Sequence, residues 1–278
     1  MDLSFKQIFH PSDLSPASNI ALAHAVKFSL LTNAKLDILH VAESVTSDDF
    51  PKVRKLLEKW QLLPENSTPQ DLKKMGLFVK KVGIQGANSL SRISNYISTK
   101  ELDMIVLSTN QKKGFTRWLD KSISEPIARE SKTLTLFIPG ECQGFVSYDT
   151  GKVKLHNIII PIAKDPDPQY SINCATQLAL TCKLDKVCFT LVHVGENCPS
   201  VNTEERQGWK WQTIVSKGNL VKEIIGKADE NQGDLIIMTT KGHDGFLDMF
   251  RGSHTEQVLR NAKCPVLAVP NVPWIIED

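Results

Sequence analysis

Residues 234–270 read DLIIMTTKGHDGFLDMFRGSHTEQVLRNAKCPVLAVP. A run of apolar residues from Leu235 to Met238 enters a turn carrying Gly242 and Gly245. A polar helix start at Ser253 follows, and then a short apolar strand that ends on Pro270. Short apolar, partly β-branched runs that alternate with helical patterns imply βαβ units, hence a parallel sheet covered by helices on both faces. The same order stands at residues 103–139, DMIVLSTNQKKGFTRWLDKSISEPIARESKTLTLFIP, and the two stretches align from Asp to Pro without a gap.

Working outward, the duplication continues. KQIFHP at 6–11 returns as HNIIIP at 156–161, and LDILHV closing on Val41 returns as VCFTLVHV closing on Val194. VKKVGIQGANSLSRISNYI is matched by TIVSKGNLVKEIIGKA, each with a strand, a glycine turn at Gly86 or Gly218, and an amphipathic helix. Residues 140–153, GECQGFVSYDTGKV, break the apolar periodicity. The expected organisation is a domain over 1–140, a linker over 141–153 and a second domain over 154–278. Each domain is expected to be a Rossmann-like, doubly wound parallel sheet of about five strands, with ligands outside the carboxyl ends of the strands at the switch point.

The halves differ after the His-Val strand. The first inserts SDDFPKVRKLLEKWQLLPENSTPQDLKKMG, where Val53, Leu56, Leu57 and Trp60 suit one face of a helix. The second has GENCPSVNTEERQGWKW, read as a loop carrying Trp209 and Trp211. Those tryptophans either wall a pocket or partner site, or cover the sheet face that the missing helix leaves bare.

Composition narrows the function classes. The chain has 278 residues, 41% hydrophobic and 23% charged, which suits globular domains and not a disordered chain. Its 33 basic and 31 acidic side chains nearly cancel, so no whole-chain field draws it to nucleic acid or an anionic membrane. No stretch approaches the ~18 consecutive apolar residues of a membrane span. MDLSFKQIFHPSD lacks the basic-then-apolar layout of a leader, so a cytoplasmic protein is expected. Cys142, Cys174, Cys182, Cys188, Cys198 and Cys264 form no CxxC pair and are read as reduced thiols.

The loop after Met238 carries the chemistry. Glycine at 242 and 252 allows backbone N–H groups to approach a phosphate with no Cβ in the way, and the helix start adds unpaired donors and the positive end of a dipole. Ser253 and Glu256 also form a capping box, repeated by Ser122 and Glu125, which is worth ~1 kcal/mol to the helix with no ligand present. Capping accounts for the serines and glutamates; the glycines carry the ligand signal.

At these residues the chain resembles the universal stress protein family, whose ATP-binding members carry Gly-x-x-Gly, nine residues, then Gly-Ser/Thr. Thr239, Gly242, Gly252 and Ser253 stand at that spacing, with Thr239 in place of the first glycine, and TEQVLRNAKCPVLAVP follows. With the HP and HV strand ends, the resemblance covers nearly the whole chain as two domains in tandem. It implies an adenine nucleotide alpha hydrolase-like fold and a stress-response regulatory protein that binds ATP, with Mg2+ only alongside the nucleotide. The implied contacts are Met238, Thr239, Lys241, Gly242, His243, Gly252, Ser253, His254 and Thr255 around the phosphates, and Pro161, Ile162, Ala163 and Val194 around the base.

In the first half, Ser108, Gln111 and Lys121 stand where the family has glycines, beside Lys112, Lys113 and Arg117. That loop is read as having lost the nucleotide. The family's Pro-x-Asp base loop survives there as Pro11-Ser12-Asp13, whereas the second half reads Pro161-Ile162-Ala163-Lys164-Asp165, so Asp165 must bend back to serve. Family domains pair through the last strand, which implies an intramolecular pseudo-dimer here and leaves a homodimer of whole chains open.

The seven histidines form no HxxH, HExxH or Cys-His cluster of metal-ligand spacing. His40 and His193 at equivalent strand ends are read as satisfying backbone groups; for His243 a phosphate contact and a plain loop role stand even. With neither GxSxG nor GxxxxGK[ST], a dedicated hydrolase or kinase is not expected, and any ATP turnover would be slow. The alternative is a scaffold that binds a protein partner, not a nucleotide, through the Trp209 to Trp211 loop.

Overall fold

The first helix shows how local chemistry sets the element boundaries. Ser15 Oγ accepts the N–H of Ser18, Pro16 opens the helix, and Asn33 in the left-handed region (φ 55°) ends it, giving α1 (Pro16–Thr32). The computed structural model describes residues 4–46, 49–86, 89–109, 133–240 and 254–271. Its first-half strands are β1 (Gln7–Pro11), β2 (Lys35–Ala42), β3 (Val79–Gln85), β4 (Met104–Thr109) and β5 (Leu134–Pro139). Those of the second are β6 (Asn157–Pro161), β7 (Val187–Val194), β8 (Trp209–Ser216), β9 (Leu235–Thr240) and β10 (Val266–Pro270). The other helices among the described residues are α2 (Val53–Lys59), α3 (Pro69–Lys74), α4 (Ser89–Ser98), α5 (Gln169–Thr181), α6 (Leu220–Glu230) and α7 (His254–Asn261).

All ten strands lie in one sheet, in the order β3-β2-β1-β4-β5-β10-β9-β6-β7-β8. Within each half every pair is parallel. The halves meet where β5 and β10 pair antiparallel, Leu136 opposite Leu267 and Phe137 opposite Val266. That pairing gives both closing strands a neighbour on each side, so neither is left as an apolar edge. β4, β5, β9 and β10 are buried along nearly their whole length, which is why they read as unbroken apolar runs.

Helices cover both faces. α1, α2 and α5 pack on one, over a core that runs from Phe28 and Ile38 in the first half to Phe189 and Leu235 in the second. α4, α6 and α7 pack on the other through Ile93, Val221, Ile224, Val258 and Leu259. Residues 141–153 also join the first face. Val146 bridges to Val153, Phe145 is buried against α1, and Trp60 Nε1–H donates to the carbonyl of Tyr148 at 2.9 Å.

One expectation is corrected here. Trp209 and Trp211 lie on β8 and not on a loop, because the alternation Trp209, Trp211 against Lys210, Gln212 is that of an edge strand paired to β7. Trp211 stacks on Phe189 at 4.0 Å and Trp209 meets the same ring edge-on at 5.4 Å. Their N–H groups donate to the carbonyls of Glu204 and Leu184. The two indoles cover the sheet where the first half uses Leu57 and Trp60 with α2.

Candidate functional site

The crevice at the switch point begins where a ladder stops. β6 and β9 pair through Ile158 with Leu235 and Ile159 with Ile236, after which β6 runs on to Pro161 and β9 to Thr240 with no further pairing to each other. The first half has the same gap, since β1 and β4 pair only at Ile8 with Met104 and Phe9 with Ile105.

What fills the gap differs. In the first half the residue before the strand-ending proline is His10, whose Nδ1–H donates to the Val106 carbonyl on β4 at 2.8 Å. That bond leaves Nε2 as an acceptor, 3.4 Å from Ser18 Oγ, which lies 3.0 Å from Ser12 Oγ. Burial pushes His10 down to about 4, outweighing the Val106 bond and the Asp13 charge. The second half has Ile160 in that place, so no side chain of its sixth strand stitches the gap.

The residues expected around a base lie together at the ends of β6 and β7. Pro161 ends β6 opposite Val192, and Ile162 is buried with its N–H on the Val192 carbonyl at 2.8 Å. Ala163 is exposed, and Val194 is half-buried opposite Ser216. His193 Nδ1–H donates to the carbonyl of Ile162 at 3.0 Å and His40 Nδ1–H to that of Ser12 at 2.8 Å, so both satisfy backbone groups.

Met238 and Thr239 are buried on β9, and Thr239 Oγ1 accepts the N–H of Ser171 at 3.1 Å. The hydroxyl at the family's first glycine position therefore anchors the start of α5. At the start of α7, His254 is exposed and Thr255 buried. Lys241, Gly242, His243, Gly252 and Ser253 lie outside the described residues, as do Gly245, Gln111, Lys112, Lys113, Arg117, Lys121, Ser122 and Glu125.

Two features of this end of the sheet escape a sequence reading. Asp13 Oδ1 accepts the N–H of Ser15, and its counterpart before the equivalent helix of the second half, α5, is Asp167, whose Oδ1 accepts the N–H of Gln169 at 2.9 Å. Asp165 is exposed on the longer loop. An aspartate two residues before a helix start was the available signal. The Gln169 carboxamide also pairs with both backbone groups of Asn202 at 3.0 Å, closing the β7–β8 loop onto α5; no local pattern announces that contact.

The profile of the universal stress protein family matches residues 4–139 and 173–270. The chain belongs to the universal stress protein family. A curated universal stress protein of Methanocaldococcus jannaschii is 40% identical over 65 residues, 23% of this chain and 38% of that relative. The crystal structure of a universal stress protein from Archaeoglobus fulgidus matches with a TM-score of 0.59 at 16% identity, covering 95% of this chain and 96% of that one. A functionally unknown protein from Pseudomonas aeruginosa matches with a TM-score of 0.59 at 11% identity, over 96% and 92%. At these identities the structures establish the fold: a tandem universal stress protein of two Rossmann-like domains. Among the described residues no helix of this universal stress protein is long and apolar enough to cross a membrane.

Proposed function

We propose that this universal stress protein is a stress-response regulator that binds ATP in its second domain and does not process a metabolite. The base lies at the ends of β6 and β7 against Pro161, Ile162, Ala163 and Val194, and the phosphates lie on N–H groups of the loop through Gly242, Gly252 and Ser253. Mg2+ accompanies the nucleotide only. The observation that carries this reading is the gap between β6 and β9 beyond Ile159 and Ile236, left unstitched by Ile160 and followed by the glycine spacing of the ATP-binding members. In the first domain His10 bridges the equivalent gap and side chains replace the glycines. The β5–β10 pairing serves as the intramolecular equivalent of a dimer contact, and a homodimer of whole chains would use another surface.

Titration calorimetry with ATP and Mg2+ tests the reading. One site per chain is expected, weakened at least tenfold, or about 1.4 kcal/mol, by Gly252→Lys, which copies the first domain. No measurable affinity in the native protein, or affinity untouched by that substitution, overturns it.

A further inference from the structure

The first domain holds α1 with two neutral imidazoles. His24, fully buried on α1, donates Nδ1–H to the carbonyl of Ile20 at 2.8 Å. Its Nε2 is therefore a bare acceptor, and it takes two backbone N–H groups of the interdomain segment, Phe145 at 3.1 Å and Val146 at 3.0 Å. The Phe145 ring meets the imidazole edge-on at 4.7 Å. Gly144 lies so close that a Cβ there would stand 2.2 Å from the ring.

A proton on Nε2 inverts this geometry. The acceptor becomes a donor facing two donors, both bonds are lost together, and a charge appears in a buried site where the acceptor that meets the ring, the Ile20 carbonyl, is already engaged by Nδ1–H. The groups facing His24 are Ile20 on its own helix and Gly144, Phe145 and Val146 of the segment, none of them charged. Cys142 Sγ accepts the N–H of Gly144, and burial holds that thiol neutral. His10 is faced by Val106 from β4, by Ser18 from α1 and by the carboxylate of Asp13.

The second domain lacks both groups. The residue before its strand-ending proline is Ile160, and the residue six beyond Ser171, as His24 is six beyond Ser18, is Gln177. Neither titrates.

We propose that the first domain carries an acid-operated latch, in which protonation of His24 at Nε2 releases Gly144–Val146 from α1 while the strand pairing of the second domain stays intact. Burial pushes His24 down to about 4, so the latch is closed at neutral pH and opens only in acid; His10 on β1, which reaches α1 at Ser18, is lowered to the same range. This holds whether or not the second domain binds ATP.

Amide hydrogen exchange on the full chain, corrected for intrinsic rates, tests it. Between pH 6 and 4 the protection of Phe145 and Val146 should fall at least tenfold more than that of Ile159 and Ile236 in the central strands. His24→Gln, whose carboxamide oxygen accepts an N–H but does not titrate, should remove that difference. Loss of protection in step with the central strands, or an equal fall in His24→Gln, overturns the latch. Should that variant fail to fold, ring-nitrogen NMR of the native protein decides. A neutral Nδ1–H ring down to about pH 5, then titrating together with the Phe145 and Val146 amides, supports the latch. Titration near the ordinary 6.5 with those amides unmoved overturns it.

Discussion

The Asp234 carboxylate accepts the backbone N–H of Asn157 at 2.9 Å, and the same oxygen takes that of His156 at 2.7 Å. Asp103 repeats the arrangement with Gln7 and Lys6, at 2.8 and 2.7 Å. Each aspartate stands one residue before a central strand, so each ties the entry of β9 or β4 to the first strand of its own half. Asp234→Asn leaves an uncharged acceptor and is expected to lower stability by about 1–2 kcal/mol in urea unfolding. Asp103→Asn should cost a similar amount, and the double variant roughly the sum, because the sites share no partner. A double variant as stable as the native chain would show that the bonds are replaced by water at no cost.

The stacking of Trp211 on Phe189 gives a second expectation. Trp211→Ala removes the ring that covers Phe189 and the N–H that satisfies Glu204, and should destabilise the chain by about 2–3 kcal/mol. ATP affinity should be unchanged, since the ring packs on Phe189 and the Glu204 carbonyl and touches none of the residues assigned to the nucleotide. Calorimetry and a denaturant curve on the same variant separate the two outcomes; lost binding with intact stability would return the tryptophan to a ligand role.

Stability should depend on pH through the two buried histidines. Both His10 and His24 are lowered from the ordinary 6.5 to about 4 in the folded state, chiefly by burial. The unfolded chain therefore binds protons first as pH falls. Their stabilisation is fully present above about pH 6.5 and is lost as pH drops through 4, on the order of 3 kcal/mol for each. Thermal unfolding from pH 7 to 4 should show the decline, and His10→Ile, which copies the second domain, should make it shallower whatever its effect at neutral pH. A profile equally steep in the variant would assign the decline to other groups.

How much of this was legible in the sequence follows from the range of each signal. The strands and most helices were, because apolar period and glycine or proline punctuation act over a few neighbours. Trp209 and Trp211 lie on a strand and not on the expected loop although WKWQTIV alternates as a strand does, because an edge strand exposed to solvent carries polar residues such as Lys210, Gln212 and Thr213 that read as loop. Around the candidate site, the ends HP and HV name strand ends that the structure brings together at one corner of the sheet. The use of Thr239 to anchor Ser171, and of Asp167 instead of Asp165 at the start of α5, depended on how far the longer loop reaches.

From its sequence alone, this protein is two copies of one βαβ-built unit, with a glycine spacing retained in the second copy and replaced in the first. Both are properties of local order along the chain, set by side-chain period and backbone freedom. Only the tertiary structure decided that β5 meets β10 antiparallel, that His10 reaches Val106 across a stopped ladder, and that His24 holds a segment 121 residues away. An apolar pattern says which face of an element is buried but not against what, and a polar atom's partner is settled only once packing has brought distant backbone within 3 Å of it.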